Sequence, residues 1–343
     1  MTTTAGFGAI VGQEAPIRLL KTFLRSGTQP HALLFTGDDG VGKKMTAKAF
    51  AMACNCRTLS ADLPQRPPLT AIDACGECGP CRKIAADHHP DIIRIAPLST
   101  VIRIDQIREL LQTLSLKPNE AQRRVVIFCD AQTMNPEAGN ALLKVLEEPP
   151  DRTLLVLTTR EASDLLPTVV SRCRQIRFSP LSVSAVARLL TTTAAIDPQT
   201  AEKAAALCGG SYTRALTLID RRWQQRHEWI ITAMCRFAAL PSTDIRAWLA
   251  FSEKLAAQKE RVEELLEIIT MWLRDLLVVG VDANQVLNQD RREILSTVAQ
   301  GVSRTRLIEQ IDAVDEAKAA LRANSKARLT LDAMVIKMAG IGE

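Results

Sequence analysis

Three groups of residues in this sequence have types and spacings suited to chemistry. The first is Gly37-Asp38-Asp39-Gly40-Val41-Gly42-Lys43-Lys44, which follows the apolar run His31 to Thr36 and opens an Ala-rich helical stretch from Lys43 to Ala53. It fits the phosphate-loop pattern G-x-x-x-x-G-K-[ST] except at its last position. Such glycines let backbone N–H groups curl around phosphate oxygens, the helix start presents a positive dipole end, and Lys43 is placed to reach the β and γ phosphates. A plain glycine-rich turn is the alternative. Lys44 stands where a hydroxyl normally ligates Mg²⁺, and an ammonium group competes with that ion instead of holding it. Nucleotide is therefore expected to bind weakly, without magnesium, or not at all. Thr46, two positions on, lies on another face of the helix and is a poor substitute.

The second group is an apolar strand ending in an acid, Val125-Val126-Ile127-Phe128-Cys129-Asp130. Asp130 has the position to hold a metal through water. The following residue, Ala131, has no means of polarising an attacking water. Lys44 and Ala131 together predict the frame of a nucleotide hydrolase with little or no hydrolysis of its own.

The third group is Cys75-Gly76-Glu77-Cys78-Gly79-Pro80-Cys81, with Cys56 upstream as fourth thiolate. Four converging thiolates suit tetrahedral Zn²⁺, and a closed set of four leaves no place for substrate, so the expected ion is structural. Cys54 is the rival fourth ligand, then His88 or His89, and a redox pair or buried structural thiols are the plainer readings. Ser171-Arg172-Cys173 follows a strand and turn. By itself Arg172 reads as a surface ion-pair partner, or as a cation offered across an interface.

The elements that must position these groups follow from periodicity. Apolar runs at His31 to Thr36, Ile92 to Ile95, Val125 to Cys129, Leu154 to Thr158 and Gln175 to Phe178 alternate with helical or turn segments, which predicts a largely parallel sheet wrapped by helices over residues 1–179. The cysteines and Pro64, Pro67 and Pro68 set apart a small module at about 54–90. The β signal fades after Pro180, giving a small helical domain over 180–221 and a third, all-helical one over 222–343, with amphipathic stretches at Val262 to Leu277 and Arg304 to Ala323. A length of 343 residues is itself too large for one core.

Composition excludes little else. Apolar residues are 47% and charged residues 24%, and 43 basic residues nearly balance 38 acidic ones, leaving +5. That excess fits phosphate contacts with nucleic acid but reads better as a solvated basic surface. The absence of an apolar stretch of about 18 residues, or of a signal segment, predicts no membrane partner and a cytoplasmic location. The odd count of nine cysteines suits a reducing compartment.

Taken together the residues resemble the AAA+ clamp-loader family of bacterial DNA polymerase III. Ile10-Val11-Gly12-Gln13 resembles the family's N-terminal box, Asn55-Cys56 with the later cysteines its zinc module, and Asn140-Ala141-Leu142-Leu143-Lys144-Val145-Leu146-Glu147-Glu148-Pro149-Pro150 its most distinctive stretch. Trp272 to Leu276 and Asn288 to Asp290 are similar to its helical collar. The resemblance implies an AAA+ P-loop NTPase domain with a zinc-binding insertion, a small helical lid and an all-α collar. It implies Gly37, Gly40, Gly42, Lys43, Lys44 and Asp130 as a degenerate nucleotide site, with Thr158 and Thr159 in the region that reads the γ-phosphate. Arg214, after Gly209-Gly210-Ser211, falls at the lid arginine, and Arg172 becomes an arginine finger offered in trans.

The implied partners are other clamp-loader subunits, gamma/tau-like and delta-like, in a hetero-oligomeric ring, with the sliding clamp and primer-template DNA touched through phosphates. Lys44 and Ala131 point to a stator that completes a neighbour's ATP site during clamp loading in DNA replication. An active gamma/tau-like ATPase is the alternative, and a zinc-bearing DNA-binding adaptor a second one.

Overall fold

The structure, a computed structural model, describes residues 6–28, 30–98, 100–239, 245–258, 261–283, 285–288, 291–322 and 325–340. The chain divides into two compact units, residues 1–215 and 216–343.

In the first unit the apolar runs become one sheet, with β1 (Ala32–Thr36), β2 (Ile92–Ile95), β3 (Arg124–Phe128), β4 (Thr153–Thr159) and β5 (Arg174–Arg177) in the order β2-β3-β4-β1-β5. Every pairing is parallel. Because side chains alternate along a strand, Leu33 and Phe35 of β1 join Val125, Ile127 and Val156 in one core layer, while Leu34 joins Val126, Phe128, Leu155 and Leu157 in the other. Both faces are therefore apolar and both are covered, as parallel sheets require.

Helices α1 (Glu14–Ser26) and α2 (Lys43–Asn55) cover the first layer, with α3 (Arg57–Asp62) and α4 (Gly79–Ala85) of the cysteine module adding Leu59, Cys81 and Ile84 to it. Helices α5 (Ile104–Leu114), α6 (Pro136–Glu147) and the short α7 (Pro167–Val170) cover the second. This parallel sheet covered by helices on both faces is the arrangement implied by the sequence. It brings the ends of β1, β3 and β4 together at one edge, where ligands of such sheets bind. Three helices follow β5: α8 (Val183–Thr193), α9 (Pro198–Leu207) and α10 (Tyr212–Ile219).

The β2–β3 edge is tied by a buried charge pair. Asp91 accepts backbone hydrogen bonds from Asn119, Glu120 and Ala121, each at 2.9 Å, and lies 3.4 Å from the Arg124 guanidinium, which also donates to the carbonyls of Thr113, Leu116 and Lys117.

The second unit is helical: α11 (Arg221–Ala239), α12 (Ile245–Ala257), α13 (Val262–Val279), α14 (Arg292–Gln300), α15 (Arg304–Arg322) and α16 (Ala327–Ala339). Helix α13 is buried around most of its girth, from Leu265 and Ile268 to Trp272 and Leu276, so its neighbours pack on several sides. Its buried Asp275 accepts hydrogen bonds from the backbone N–H groups of Leu287 (2.8 Å) and Asn288 (2.7 Å) and from the Asn288 amide (2.8 Å). The two collar-like stretches of the sequence are thus one clamp, although Gln289 and Asp290 lie outside the described residues, as does Ala323. Among the described residues no helix is long and apolar enough to cross a membrane.

Candidate functional site

The phosphate loop leaves β1 at Thr36 and turns into α2 at Lys43. Gly40 permits this turn, with φ at 79°; a Cβ there would lie 2.3 Å from Thr213 Oγ1 and 2.7 Å from the Thr213 nitrogen. The start of α10 is seated on the loop, and Tyr212 N donates to Gly40 O at 3.1 Å. From the other side Gln13 of the N-terminal box donates to Val41 O (3.1 Å) and Ser179 O (2.7 Å), so the loop is held from two directions.

Beside the loop lies a cavity of about 540 Å³, lined among others by Gly40, Lys43, Lys44, Asp130, Arg160 and Thr213. The groups expected to meet phosphate and metal there have partners within the chain. Lys43 Nζ donates to the carbonyl of Gly37 and to that of Asp38 at 2.7 Å. Burial lowers its pKa, against the pull of Asp39, Asp130 and Asp38. Lys44 Nζ forms an ion pair with Asp130 Oδ2 at 2.6 Å. Thr46 is buried and its hydroxyl donates to Gly42 O at 2.9 Å, as its place on the helix predicts. The donor set therefore suits Mg²⁺ poorly, because the two carboxylates lining the cavity already have cationic partners, Asp130 in Lys44 and Asp39 in Arg160.

Thr158 is fully buried. Its hydroxyl donates to Phe128 O (3.0 Å) and accepts from Asp130 N (3.1 Å), bridging the ends of β3 and β4 and holding Asp130 in its left-handed conformation. Thr159 Oγ1 donates to Glu161 O at 3.1 Å. Ala131 is buried in the second core layer. Arg214 sits one residue beyond Thr213, half-buried, with its backbone N–H on Ser211 Oγ at 3.2 Å.

Arg172 lies after α7, away from these groups in the chain, with its side chain 37% exposed and 2.8 Å from Glu147 at the end of α6. It also donates to Thr168 O at 3.0 Å. The pair joins Arg172 to the 140–150 stretch, the most distinctive part of the family resemblance.

Cys56, Cys75, Cys78 and Cys81 converge, their sulfur atoms all within 4.8 Å of one another. Thiolates about 2.3 Å from a tetrahedral zinc ion would stand about 3.8 Å apart, so the group needs only slight contraction to hold a metal. Backbone N–H groups of Leu59 and Cys75 point at Cys56 Sγ (3.5 and 3.3 Å), and that of Cys78 at Cys75 Sγ (3.4 Å), as suits thiolate charge. Burial acts to raise the Cys75 thiol, but donors from Cys78, Thr58 and Glu77 bring it down to about 6. Burial raises Cys56 and Cys81, which a cation would offset. Gly76, at φ 77°, makes the tight turn between ligands. Cys54 is outside this group, and His89 instead accepts a hydrogen bond from Asp91 N at 3.2 Å.

With this geometry in place, the sequence matches two families, described as "DNA polymerase III, delta subunit" over residues 12–182 and "DNA polymerase III, delta subunit, C terminal" over residues 220–331. The delta' subunit of DNA polymerase III from Escherichia coli is 31% identical over 288 residues, 82% of this chain and 80% of that protein. The chain belongs to the DNA polymerase III delta' family. A second delta' relative, from Pseudomonas aeruginosa, is 38% identical over 53% of each chain, so that match spans about half of the relative's length. A tau subunit from Bacillus subtilis is 30% identical over 63% of this chain and 37% of that protein. Among solved structures, a gamma subunit-related protein from Thermotoga maritima is similar at 19% identity and a TM-score of 0.36, covering 94% of this chain and 98% of that one.

In this delta' chain Arg160 belongs to the candidate site and was not singled out from the sequence. It pairs with Asp39 of the phosphate loop at 2.7 Å, and its carbonyl accepts from Gly37 N at 2.8 Å. The signal was its place directly after β4, which pairs with β1 so that Thr159 faces Thr36. Tyr212 and Thr213 were hidden for another reason: their approach to Gly40 depends on how the α8–α10 helices fold back.

Proposed function

We propose that this delta' chain acts as the stator of a clamp loader, completing an ATP site on a neighbouring gamma/tau-like subunit instead of firing its own. The observation that carries this reading is the Lys44–Asp130 ion pair, 2.6 Å long, standing where a hydrolysing relative would hold Mg²⁺. Ala131 supports it from the chemical side, since no carboxylate follows Asp130 to activate water. Arg172 is the finger in trans. Its pair with Glu147 is solvent-exposed and so worth only about 0–1 kcal/mol, little enough for a neighbour's phosphate to replace. Within this reading, Arg214, Thr158 and the glycines of the phosphate loop are remnants of a nucleotide site, residues 180–221 are the lid and residues 222–343 the collar through which subunits assemble.

The ion in the cysteine module is zinc, bound by Cys56, Cys75, Cys78 and Cys81 in a structural role. The working partners are gamma/tau-like and delta-like subunits in a cytoplasmic ring that loads the sliding clamp at primer-template DNA, with DNA contacted through phosphates. The cavity of about 540 Å³ favours a second reading, nucleotide binding without magnesium and without turnover. The test is ATP binding and steady-state hydrolysis by the purified chain, with and without Mg²⁺, then by the chain mixed with an active gamma-type partner. Silence of the chain alone, with a loss of partner hydrolysis in Arg172→Ala, is expected. Tight Mg·ATP binding with turnover by the chain alone would refute the stator role.

A further inference from the structure

The cysteine module meets the rest of the first unit through a carboxylate as well as through its core side chains. Asp73, two positions before Cys75, is turned toward the beginning of the chain: Oδ1 accepts from Phe7 N at 2.7 Å and Oδ2 from Gly8 N at 2.9 Å. Both donors belong to a single 3-10 turn, Phe7–Ala9, which leads directly into the N-terminal box at Ile10. Gly6 comes so close that a Cβ there would lie 2.4 Å from Asp73 Oδ1. Phe7 is only 2% exposed and shares a core layer with Phe50 of α2 and with Ile72, Ala74 and Cys81 of the module.

From this turn the path to the phosphate loop is short. Ile10 N donates back to Phe7 O at 3.0 Å, Gln13 Nε2 holds the carbonyls of Val41 and Ser179, and Ser179 N donates to Gln13 Oε1 at 3.3 Å. In the other direction Asp73 sits between the buried Ile72 and Ala74, and Cys75 N donates to Cys56 Sγ at 3.3 Å. A two-residue step between buried side chains has little slack, so a shift of Cys75 carries Asp73 with it. Cys56 itself follows the last residue of α2, whose first residue is Lys43 of the phosphate loop. Without an ion, neighbouring thiolates repel one another; with one, four sulfur atoms are drawn together, and that contraction reaches the Asp73 carboxylate.

We propose that Asp73 links metal occupancy of the four-cysteine group to the seating of the N-terminal box on the phosphate loop. Asp73 is a positioning residue in this scheme and not a ligand: a closed module holds its carboxylate under Phe7 and Gly8, and the turn they form fixes where Gln13 meets Val41 and Ser179. The link rests on the zinc reading of the cysteine module and is independent of the role of Arg172. Coupling of this kind is reciprocal, so a metal that steadies Phe7 and Gly8 is itself bound more tightly, by the same factor, while they are held.

The test follows residue-resolved amide exchange in the full chain, zinc-loaded and after chelation, together with zinc affinity measured by competition with a chromophoric chelator. Chelation of the parent should speed exchange at Phe7, Gly8 and Ser179 by at least about tenfold while β3 and β4 stay protected. In Asp73→Ala, zinc should no longer slow these three amides. The variant should still bind about one zinc through its four thiolates, but about tenfold more weakly than the parent. A role confined to packing would speed the same amides and leave the zinc affinity of Asp73→Ala at the parent's value, and that result overturns the link. So does a parent whose Phe7, Gly8 and Ser179 amides are indifferent to chelation, or one in which β3 and β4 lose protection equally, since the whole unit then opens. The parent comparison needs no variant and decides the matter even if Asp73→Ala does not fold. A chain that takes up no zinc at all sinks the metal reading, and the link with it, and is told apart by its metal content.

Discussion

Lys44 Nζ and Asp130 Oδ2 stand 2.6 Å apart, an ion pair between the second residue of α2 and the turn that follows β3. Both side chains are partly solvated, 50% and 28% exposed, so the pair contributes at most about 1 kcal/mol to stability. Its consequence is electrostatic: a divalent ion at Asp130 would have to displace the Lys44 ammonium and lie beside its charge. Replacing Lys44→Thr removes the competing cation and restores a hydroxyl. Magnesium-dependent ATP affinity is expected to rise at least about tenfold, read by equilibrium binding with and without Mg²⁺. Turnover should stay absent because Ala131 is unchanged. An unaltered affinity would mean that the Lys43 contacts, not Lys44, close the site.

Arg172→Ala should leave the chain's own unfolding free energy within about 0.5 kcal/mol of the parent, since only an exposed pair with Glu147 and exposed hydrogen bonds to Thr168 and Ser171 are lost. In a mixture with a gamma-type ATPase it should lower hydrolysis by at least about tenfold. Arg172→Lys should rescue little, as an ammonium cannot present the planar fork. A full-rate mixture with the alanine variant would remove Arg172 from the mechanism.

Metal content separates the cysteines. Elemental analysis of the purified chain is expected to find about one zinc per chain, lost in Cys81→Ser and retained in Cys54→Ser, because only the former belongs to the converging group. Chelation should lower the thermal midpoint of the parent and leave that of Cys81→Ser unmoved. Retention of zinc by Cys81→Ser would break the four-thiolate assignment.

Asp91 makes the first unit acid-sensitive. Burial alone would raise its pKa, but the N–H groups of Glu120, Asn119 and Ala121 and the charge of Arg124 outweigh it and hold it below the ordinary carboxylate value. A carboxyl with a depressed folded pKa stabilises the fold above its unfolded pKa, about 3.9, and that stability is lost as the pH falls toward and through the folded value. Amide exchange at Asn119, Glu120 and Ala121 should therefore accelerate below about pH 4 in the parent, and Asp91→Asn should flatten that response. An equally steep acid response in the variant would place the sensitivity elsewhere.

Asp275→Ala leaves three donors at Leu287 and Asn288 without their acceptor and is expected to cost about 3 kcal/mol. All four tryptophans, Trp223, Trp229, Trp248 and Trp272, lie in the second unit, so their fluorescence during urea unfolding reports on that unit alone. A midpoint unchanged from the parent would show that water replaces the carboxylate.

The sheet was legible because its central strands β1, β3 and β4 are short runs buried on both faces, and β2 begins and ends where the sequence placed it, whereas β5, Arg174-Gln175-Ile176-Arg177 with only Ile176 buried, begins one residue earlier than its apolar signal. The cysteine module was equally plain, since spacing alone forces Cys75, Cys78 and Cys81 together. What could not be read was the internal pairing of the phosphate loop. A motif shows that Lys43 is able to reach a phosphate, but not that it turns back to the Gly37 and Asp38 carbonyls, which depends on the path of the folded loop. Nor did the tripeptide around Arg172 disclose Glu147, 25 positions earlier, because only the packing of α6 beside α7 makes them neighbours.

The seating of α10 on Gly40 also limits how the first unit can deform. With Tyr212 bonded to the Gly40 carbonyl and Thr213 close enough to exclude even a methyl group, any opening between α10 and the loop must break backbone contacts before it gains anything. Any side chain at position 40 would therefore unseat the start of α10 from the phosphate loop, so Gly40 is a packing requirement of the helix as much as a conformational one of the loop.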